Sequence, residues 1–194
     1  MTSNPHNTET NTEESDNELL FAFVNDANET AFTKLVSRYQ RPLYNFVWRY
    51  IENHEDVADM CQQVFIQVFN KAEQFRSEST FKTWLYQIAV NRCRDFHRSN
   101  QRHPVDPVAP DELEKKTKDM HYEDKHTHDE QRLMDNAIRL LPEKQRQTLY
   151  LHMYQQCSFT EVAMIMNCPS GTAKANYHHA IKGLRKILNP VDEK

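Results

Sequence analysis

Hydrophobic side chains in the first half of the chain recur every three to four residues, which is the spacing of an amphipathic helix. Three such stripes lie between residues 18 and 98, where no run alternates polar and apolar side chains as a half-buried strand would. The stripes consist of Phe32, Leu35, Val36, Tyr39, Leu43, Phe46, Val47, Tyr50 and Ile51; of Val57, Met60, Cys61, Val64, Phe65, Val68 and Phe69; and of Phe81, Trp84, Leu85, Ile88 and Ala89. We therefore predict a helical bundle over residues 18–98.

The second half of the chain has shorter helical patterns and more helix-breaking residues. A short helix that ends at Pro142 is predicted by Leu133, Ala137, Leu140 and Leu141. Proline suits the first position of a helix, and the helix that begins there is extended by Leu149, His152 and Met153. Two more helices are predicted at 160–166 and 170–188. Residues 131–189 thus form a second small helical domain, and the fold class is all-α.

Three polar segments flank these domains. Residues 1–17 are acidic and almost free of apolar side chains, and residues 99–130 combine three prolines with many charges. Such segments have too little apolar surface to offset the entropy of ordering the chain. We predict a disordered acidic tail at 1–17, a flexible acidic linker at 99–130 and a short tail at 190–194.

Residues 159–179 carry the most specific local pattern, that of a helix-turn-helix. Ala163 is small where the two helices cross closely, and Asn167 tolerates the left-handed backbone that the turn requires. Pro169 prevents the first helix from continuing, and Ser170 is expected to cap the second. A helical hairpin with these residues at the turn is the form in which many proteins read the major groove.

The second helix of this pattern has a basic outer face. Residues 170–188 hold four Lys or Arg and no acid, and inward-facing Ala173 and Tyr177 leave an outer row of Lys174, Asn176, His178 and His179. Side chains at the start of such a helix can contact base edges. An ordinary helical hairpin with a solvated basic side is the alternative.

Charge is distributed unevenly, although the formal net charge is only −4 in 194 residues. Residues 1–33 and 103–130 carry net charges of −7 and −5, whereas residues 34–102 and 131–194 carry +4 each. The two predicted domains are therefore mildly basic, and the segments before and between them are acidic.

Composition excludes several kinds of site. Gly171 and Gly183 are the only glycines, whereas phosphate loops, dinucleotide fingerprints and nucleophile elbows each need several close together. The four cysteines form no C-x-x-C pair, which favours a reducing compartment, and His121, His126 and His128 lack cysteine partners. No apolar stretch approaches the ~20 residues of a membrane span. We expect a cytoplasmic protein that is not an enzyme, has no cofactor, metal or catalytic residue, and is not inserted into a membrane.

Several blocks in fixed order give the chain a family resemblance. They are Glu29–Tyr39, Asp56–Phe65, Phe75–Arg92, and Leu141–Arg146 followed by the helix-turn-helix at 159–179. In these blocks the chain resembles the short extracytoplasmic-function (ECF) sigma factors of the sigma-70 family. The resemblance implies a region-two domain at 18–98 and a region-four domain at 131–189, without the intervening region three.

The resemblance also implies surfaces for core RNA polymerase. A polar face with Asp56, Asp59, Gln62 and Gln63, next to Phe65, would dock on the clamp helices of the largest subunit, and the second domain would bind the flap of the second-largest subunit. A merely solvated helix face is the alternative. An anti-sigma factor is a further implied partner.

Promoter DNA is the other implied partner. The loop at 75–80 and the following helix would recognise the minus-ten element and hold a flipped base, through Arg76, Ser77, Glu78, Ser79, Lys82, Trp84, Asn91, Arg92, Arg94 and Arg98. Trp84 also lies on the apolar stripe, which favours a core role, and Asn91 fits either a structural or a DNA contact.

The helix-turn-helix would read the minus-thirty-five element through Ser170, Thr172, Lys174, Asn176, His178 and His179. Many relatives have Lys-Ser-Arg where this chain has Lys174-Ala175-Asn176, so one frequent arginine contact is absent. Asn176 is suited to adenine instead.

Two alternatives remain open on the sequence alone. The acidic linker is either inert or passes through the positively charged template channel of the polymerase. The whole chain could instead be a stand-alone helix-turn-helix regulator whose first domain senses a ligand or dimerises.

Overall fold

The computed structural model describes residues 14–51, 53–102 and 133–189, and these ranges contain helices and no strand. Four helices form a first body: α1 (Asp16–Asp26), α2 (Glu29–Ile51), α3 (His54–Lys71) and α4 (Phe81–Arg102). A 3-10 turn at Ala72–Gln74 follows α3. The predicted all-α class and the first helical bundle are confirmed.

The core of the first body is built from the predicted stripes. The side chains that are fully excluded from solvent are Leu35, Leu43, Phe46, Val47, Val57, Val64, Val68, Phe81, Leu85, Tyr86, Ala89, Val90 and Cys93. They come from α2, α3 and α4, and Leu19 and Leu20 of α1 cover one side. Burial of each Val, Leu or Phe side chain among them contributes ~1.5–3 kcal/mol, so packing rather than helix propensity holds the bundle together.

The first boundary differs from its prediction. Ser15 caps α1, accepting a hydrogen bond from the Glu18 amide at 3.3 Å while its own amide donates to the Glu18 carboxylate at 2.8 Å. This capping box starts the helix at Asp16, two residues before the predicted start of the bundle at residue 18. Residues 1–13 lie outside the described residues.

The boundary after the bundle also differs. Helix α4 continues to Arg102, four residues beyond the predicted end of the bundle at residue 98. Its regular apolar stripe ends near Phe96, and the polar residues after Phe96 carry no signal that would stop a helix. The rest of the predicted linker, with its three histidines, and the tail at 190–194 lie outside the described residues.

The second body contains four helices and one wide turn. These are α5 (133–139), α6 (Glu143–Leu149), a π-helical turn at Tyr150–Tyr154, α7 (Phe159–Met166) and α8 (Ser170–Leu188). The side chains buried here are Ala137, Ile138, Leu141, Leu149, Tyr150, Leu151, Cys157, Val162, Ala163, Ile165, Met166, Ala173, Ala180 and Leu184. The second helical domain is thereby confirmed.

Several local predictions in the second body were wrong. Two leucines of the predicted apolar pattern, Leu133 and Leu140, are 63% and 72% exposed, and Ile138, which was not part of that pattern, lies in the core instead. Pro142 is the N-cap of α6 rather than its first residue. The helix that was expected to continue through Met153 widens at Tyr150, where the Gln155 amide donates to the Tyr150 carbonyl five residues back, at 3.1 Å.

The helix-turn-helix forms as predicted, except at one cap. Asn167 has φ 52° and ψ 57°, in the left-handed region, and ends α7. Ser170, however, is the first residue of α8, and Pro169 stands at the N-cap with no side-chain hydrogen bond. Proline in the extended conformation is followed directly by the helix, so the hydroxyl of Ser170 is past the position from which it could cap.

The two bodies pack against each other through α4 and the region around α7. Tyr86 of α4 donates to the side chain of Gln155 at 2.5 Å. The guanidinium carbon of Arg49 lies 4.7 Å from the ring centroid of Tyr150 and 4.2 Å from that of Tyr154. Among the described residues, no helix is long and apolar enough to cross a membrane.

Candidate DNA-binding and protein-binding surfaces

The loop at 75–80 is exposed but fixed at both ends. Phe75 packs on Trp84 with ring centroids 5.3 Å apart. At the other end, the Thr80 hydroxyl accepts a hydrogen bond from the Thr83 amide at 3.2 Å and caps α4. The first amide of α4, that of Phe81, donates to the side-chain oxygen of Asn17 at 2.8 Å. Anchoring of both ends fixes where the backbone of the loop lies on the bundle.

The loop side chains face solvent. Arg76, Ser77 and Glu78 are exposed and Ser79 is half-buried. Ser77 has φ 57°, a left-handed conformation that a residue with a Cβ adopts only at a cost of ~1–2 kcal/mol. The loop therefore presents a tight, polar bend at the start of α4.

The polar residues of α4 do not share one surface. Asn91 and Arg98 are exposed, whereas Lys82, Trp84, Arg92 and Arg94 are half-buried. Trp84 packs between Phe75 and Phe81, and Arg92 donates from Nε to Gln67 of α3 at 2.7 Å.

One side of α4 contacts the second body, which the sequence did not predict. Arg94 and Gln87 donate to the carbonyls of Met166 and Met164 at 3.5 and 3.4 Å, and Thr83 donates to Glu161 at 3.4 Å. Glu161 also belongs to the capping box of α7, and hydrogen bonds to Ser158 lower the pKa of its carboxyl against the opposing effect of burial. No periodicity in a sequence reports a contact between two domains, and so this face was missed.

Helix α3 presents the face expected to bind polymerase. Asp59, Gln62 and Gln63 are exposed, and Asp56 and Phe65 are half-buried. The Asn53 side chain caps α3 by accepting from the Glu55 amide at 3.0 Å. Farther along the same helix, Ile66 and Phe69 are 51% and 50% exposed, and Phe69 packs on Phe23 and Phe32. These two apolar residues extend the surface beyond the predicted set.

Helix α8 presents the predicted row. Ser170, Thr172, Lys174, His178 and His179 are exposed, and Asn176 is half-exposed. Ala173, Ala180 and Leu184 are buried on the opposite side, and Tyr177 packs edge-on against Phe159 at 5.5 Å. With no acid in the first turn of the helix, this face attracts rather than repels phosphates.

Buried thiols and phenols are inert near neutral pH. Burial raises the pKa of the Cys61 and Cys93 thiols to about 12 and that of Cys157 to about 11. Burial also raises the pKa of Tyr150 to about 12, although the Arg49 guanidinium opposes it. Within residues 14–51, 53–102 and 133–189, no group of three His, Cys, Asp or Glu could hold a metal ion.

Family models match both bodies. The one described as Sigma-70 region 2 matches residues 35–103, and the one described as Sigma-70, region 4 matches residues 131–184. An ECF RNA polymerase sigma-E factor of Haemophilus influenzae is 30% identical over 176 residues, which are 87% of this chain and 93% of that protein. An RNA polymerase sigma-H factor of Pseudomonas aeruginosa is 29% identical over 188 residues, 93% of this chain and 97% of that protein.

Two solved structures have the same fold. CnrH, in complex with the cytosolic domain of CnrY, has a TM-score of 0.66 at 19% identity, covering 90% of this chain and 97% of that one. The sigma factor RpoE of Bartonella quintana, in complex with the anti-sigma factor NepR, has a TM-score of 0.62 at 22% identity, covering 84% and 98%.

Proposed function

Because this chain belongs to the sigma-70 family, in its extracytoplasmic-function group, we propose that it binds core RNA polymerase, recognises promoter minus-ten and minus-thirty-five elements, and promotes DNA melting and transcription initiation in the cytoplasm. The first body, α1–α4, takes the role of region two, and the second, α5–α8, that of region four. The polymerase is the catalyst. The observation that carries the proposal is that the first body exposes the anchored polar loop at 75–80 and the second exposes the polar, basic face of α8.

The clamp helices of the largest polymerase subunit are the proposed partner of α3. Its acidic and amide side chains lie beside the apolar Phe65, Ile66 and Phe69, and an apolar centre with a polar rim is the usual composition of a protein interface. The flap of the second-largest subunit is the proposed partner of α5 and the residue after it, where Leu133, Met134 and Leu140 are exposed.

Charge reversal tests the α3 surface. The double substitution of Asp56 and Asp59 by Lys is expected to weaken binding to core polymerase at least tenfold, because each change replaces a favourable charge contact by a repulsive one. The matched control reverses Glu73 and Asp95, exposed acids outside α3. Equal core affinity of both double variants would remove α3 as the docking face.

Minus-ten recognition is assigned to the loop at 75–80 and to α4. Arg92, Arg94 and Arg98 would follow the phosphates, and the fixed bend of the loop would hold an unstacked base. Extrusion of a base costs a few kcal/mol, which contacts in the loop would offset, so melting needs no hydrolysis. Since Arg94 contacts the second body here, the two bodies separate in the proposed promoter complex.

Minus-thirty-five recognition is assigned to α8. Replacing Asn176 by Ala is expected to change base preference by ~1–3 kcal/mol at one position, because an asparagine amide can pair with adenine through two hydrogen bonds. Replacing the exposed Lys174 by Ala is the matched control, and is expected to weaken binding on all sequences and to reduce its salt dependence. Equal loss on every sequence for both variants would refute a reading role for Asn176.

An anti-sigma factor is also proposed as a partner. The two structural neighbours CnrH and RpoE were each solved with a bound protein, the cytosolic domain of CnrY and the anti-sigma factor NepR. A regulator that held both bodies of this chain in their packed arrangement would keep the Arg94 side of α4 covered by the second body.

Run-off transcription with purified core polymerase on a promoter library tests the function as a whole. We expect specific transcripts only when the chain is added. A chain that gives no transcript and footprints a palindrome without polymerase would instead be a stand-alone helix-turn-helix regulator.

A further inference from the structure

The short segment Glu14–Asn17 is fastened to α2. Glu14 pairs with Lys34 at 2.6 Å, and its carbonyl accepts from Arg38 Nη1 at 2.8 Å. The Asp16 carboxylate accepts from the same Arg38 atom at 2.9 Å and from the Tyr39 hydroxyl. A segment predicted as part of a disordered tail is thus held in one position on the bundle.

From this position Asn17 reaches α4. Its side-chain oxygen accepts the hydrogen bond from the Phe81 amide at 2.8 Å, across 64 residues of sequence. The first amides of a helix have no partner within the helix. Thr80 satisfies the amide of Thr83, and Asn17 satisfies that of Phe81, so the start of α4 is capped once locally and once from α1.

The loop at 75–80 ends at this doubly capped position. Phe81 is fully buried, and its ring packs edge-on against Tyr39 at 5.3 Å, next to the hydroxyl that bonds Asp16. Any displacement of the Phe81 backbone therefore moves the end of the loop relative to the bundle. Phe75 fixes the other end on Trp84, which belongs to the same helix.

We propose that Asn17 is a positioning residue for minus-ten recognition: it contacts no DNA, and it fixes the start of α4 so that the loop at 75–80 is preorganised for an unstacked base. This inference rests on the proposed function of the loop. Preorganisation raises affinity by removing the ordering that binding would otherwise require.

Three variants of the full chain separate positioning from general stability. Asn17→Ala removes the acceptor. Asn17→Asp keeps it and places a negative charge at the start of α4, where the helix dipole favours it. Asn25→Ala is the matched control, since Asn25 is an exposed residue of the same helix.

The first measurement needs no polymerase. Amide hydrogen exchange at Phe81 and in the loop at 75–80 is expected to rise at least fivefold in Asn17→Ala and to return towards the original rate in Asn17→Asp. Exchange in the core of α3 serves as a reference for global opening. Unchanged exchange at Phe81, or a rise of the same factor in α3, overturns the positioning role.

The second measurement compares two affinities of the same variants. For Asn17→Ala, holoenzyme is expected to bind a fork DNA with a single-stranded minus-ten element about fivefold more weakly, with core polymerase affinity unchanged within twofold. Asn17→Asp is expected to restore fork binding, and Asn25→Ala to leave it unaltered. The inference is overturned if Asn17→Ala binds the fork DNA as tightly as the unsubstituted chain, or if it loses affinity for fork DNA and for core polymerase by the same factor. Failure of the unsubstituted chain to bind core polymerase would instead refute the proposed function.

Discussion

Arg49 makes the contact between the two bodies whose strength can be worked out most directly. Its guanidinium lies over two rings of the second body, at 4.7 Å from Tyr150 and 4.2 Å from Tyr154. A cation over an aromatic face contributes ~0.5–1 kcal/mol at an exposed site and ~2 kcal/mol when desolvated. Arg49 is itself half-exposed, so the exposed-site value applies to each ring, and the two contacts together contribute about 1–2 kcal/mol.

Replacing Arg49 by Ala is therefore expected to shift the equilibrium between packed and separated bodies about 5- to 30-fold towards separation, at 1.4 kcal/mol per factor of ten. For Arg49→Lys, the fraction of separated bodies should lie between that of the unsubstituted chain and that of Arg49→Ala, because an ammonium stacks less well than a guanidinium. Arg41→Ala, an exposed arginine of the same helix, is the control.

Spin labels at the exposed positions Gln40 and Lys182, attached through unnatural side chains that leave the cysteines unmodified, would report the two states as two distance populations. The measurement is made at a urea concentration at which the unsubstituted chain populates both. If Arg49→Ala and Arg41→Ala give the same ratio of populations, the contacts of Arg49 with Tyr150 and Tyr154 do not hold the bodies together.

Three further predictions concern stability. Asn167→Ala is expected to cost ~1–2 kcal/mol in urea unfolding, because its φ of 52° disfavours a side chain that cannot hydrogen-bond locally, and Asn167→Gly should cost less; equal loss would contradict this. Gly171→Ala should stabilise α8 by up to ~1 kcal/mol, since nothing lies within 4 Å of the added methyl. Gly183→Ala places the methyl 2.8 Å from Leu141 and should be the less stable of the two variants, which the order of their thermal midpoints checks. The free energy of unfolding should fall as pH rises from about 9 to 12, because the buried thiols of Cys61 and Cys93, with pKa about 12, stay protonated in the folded chain after they ionise in the unfolded one. A Cys93→Ala variant should show a shallower decline of the urea midpoint over that range, and an unchanged slope would refute this linkage.

Periodicity predicted the helices well because burial of an apolar stripe decides where a helix packs. Val57, Val64 and Val68 are predicted and buried for the same reason. The turn at Asn167 could be predicted equally well, since few residues other than glycine tolerate its backbone conformation. Both features depend on interactions close in sequence.

The predictions were wrong or incomplete where contacts with residues far away in the sequence determine the structure. The sequence around Glu14–Asn17 is polar and acidic. Its capping box of Ser15 and Glu18 is a local signal that the prediction did not use, whereas the ion pairs with Lys34 and Arg38 that hold it on the bundle come from another helix. Nor does any local pattern indicate that Arg94 faces Met166 or that Arg49 faces two tyrosines. The exposed loop at 75–80 could be located from sequence, but its two anchors could not.

The wide turn at Tyr150–Tyr154 makes chain length, as well as residue identity, a determinant of how the bodies meet. The turn holds one residue more than ordinary helix would over the same rise, so losing one residue between Tyr150 and Tyr154 would restore ordinary helix and leave the residues after it facing nearly as they do now. Inserting one residue there would instead rotate Tyr154 by about 100°, away from Arg49, while Tyr150 stayed in place. A single-codon insertion at this point would therefore remove one of the two cation–ring contacts without altering any of the three residues that form them.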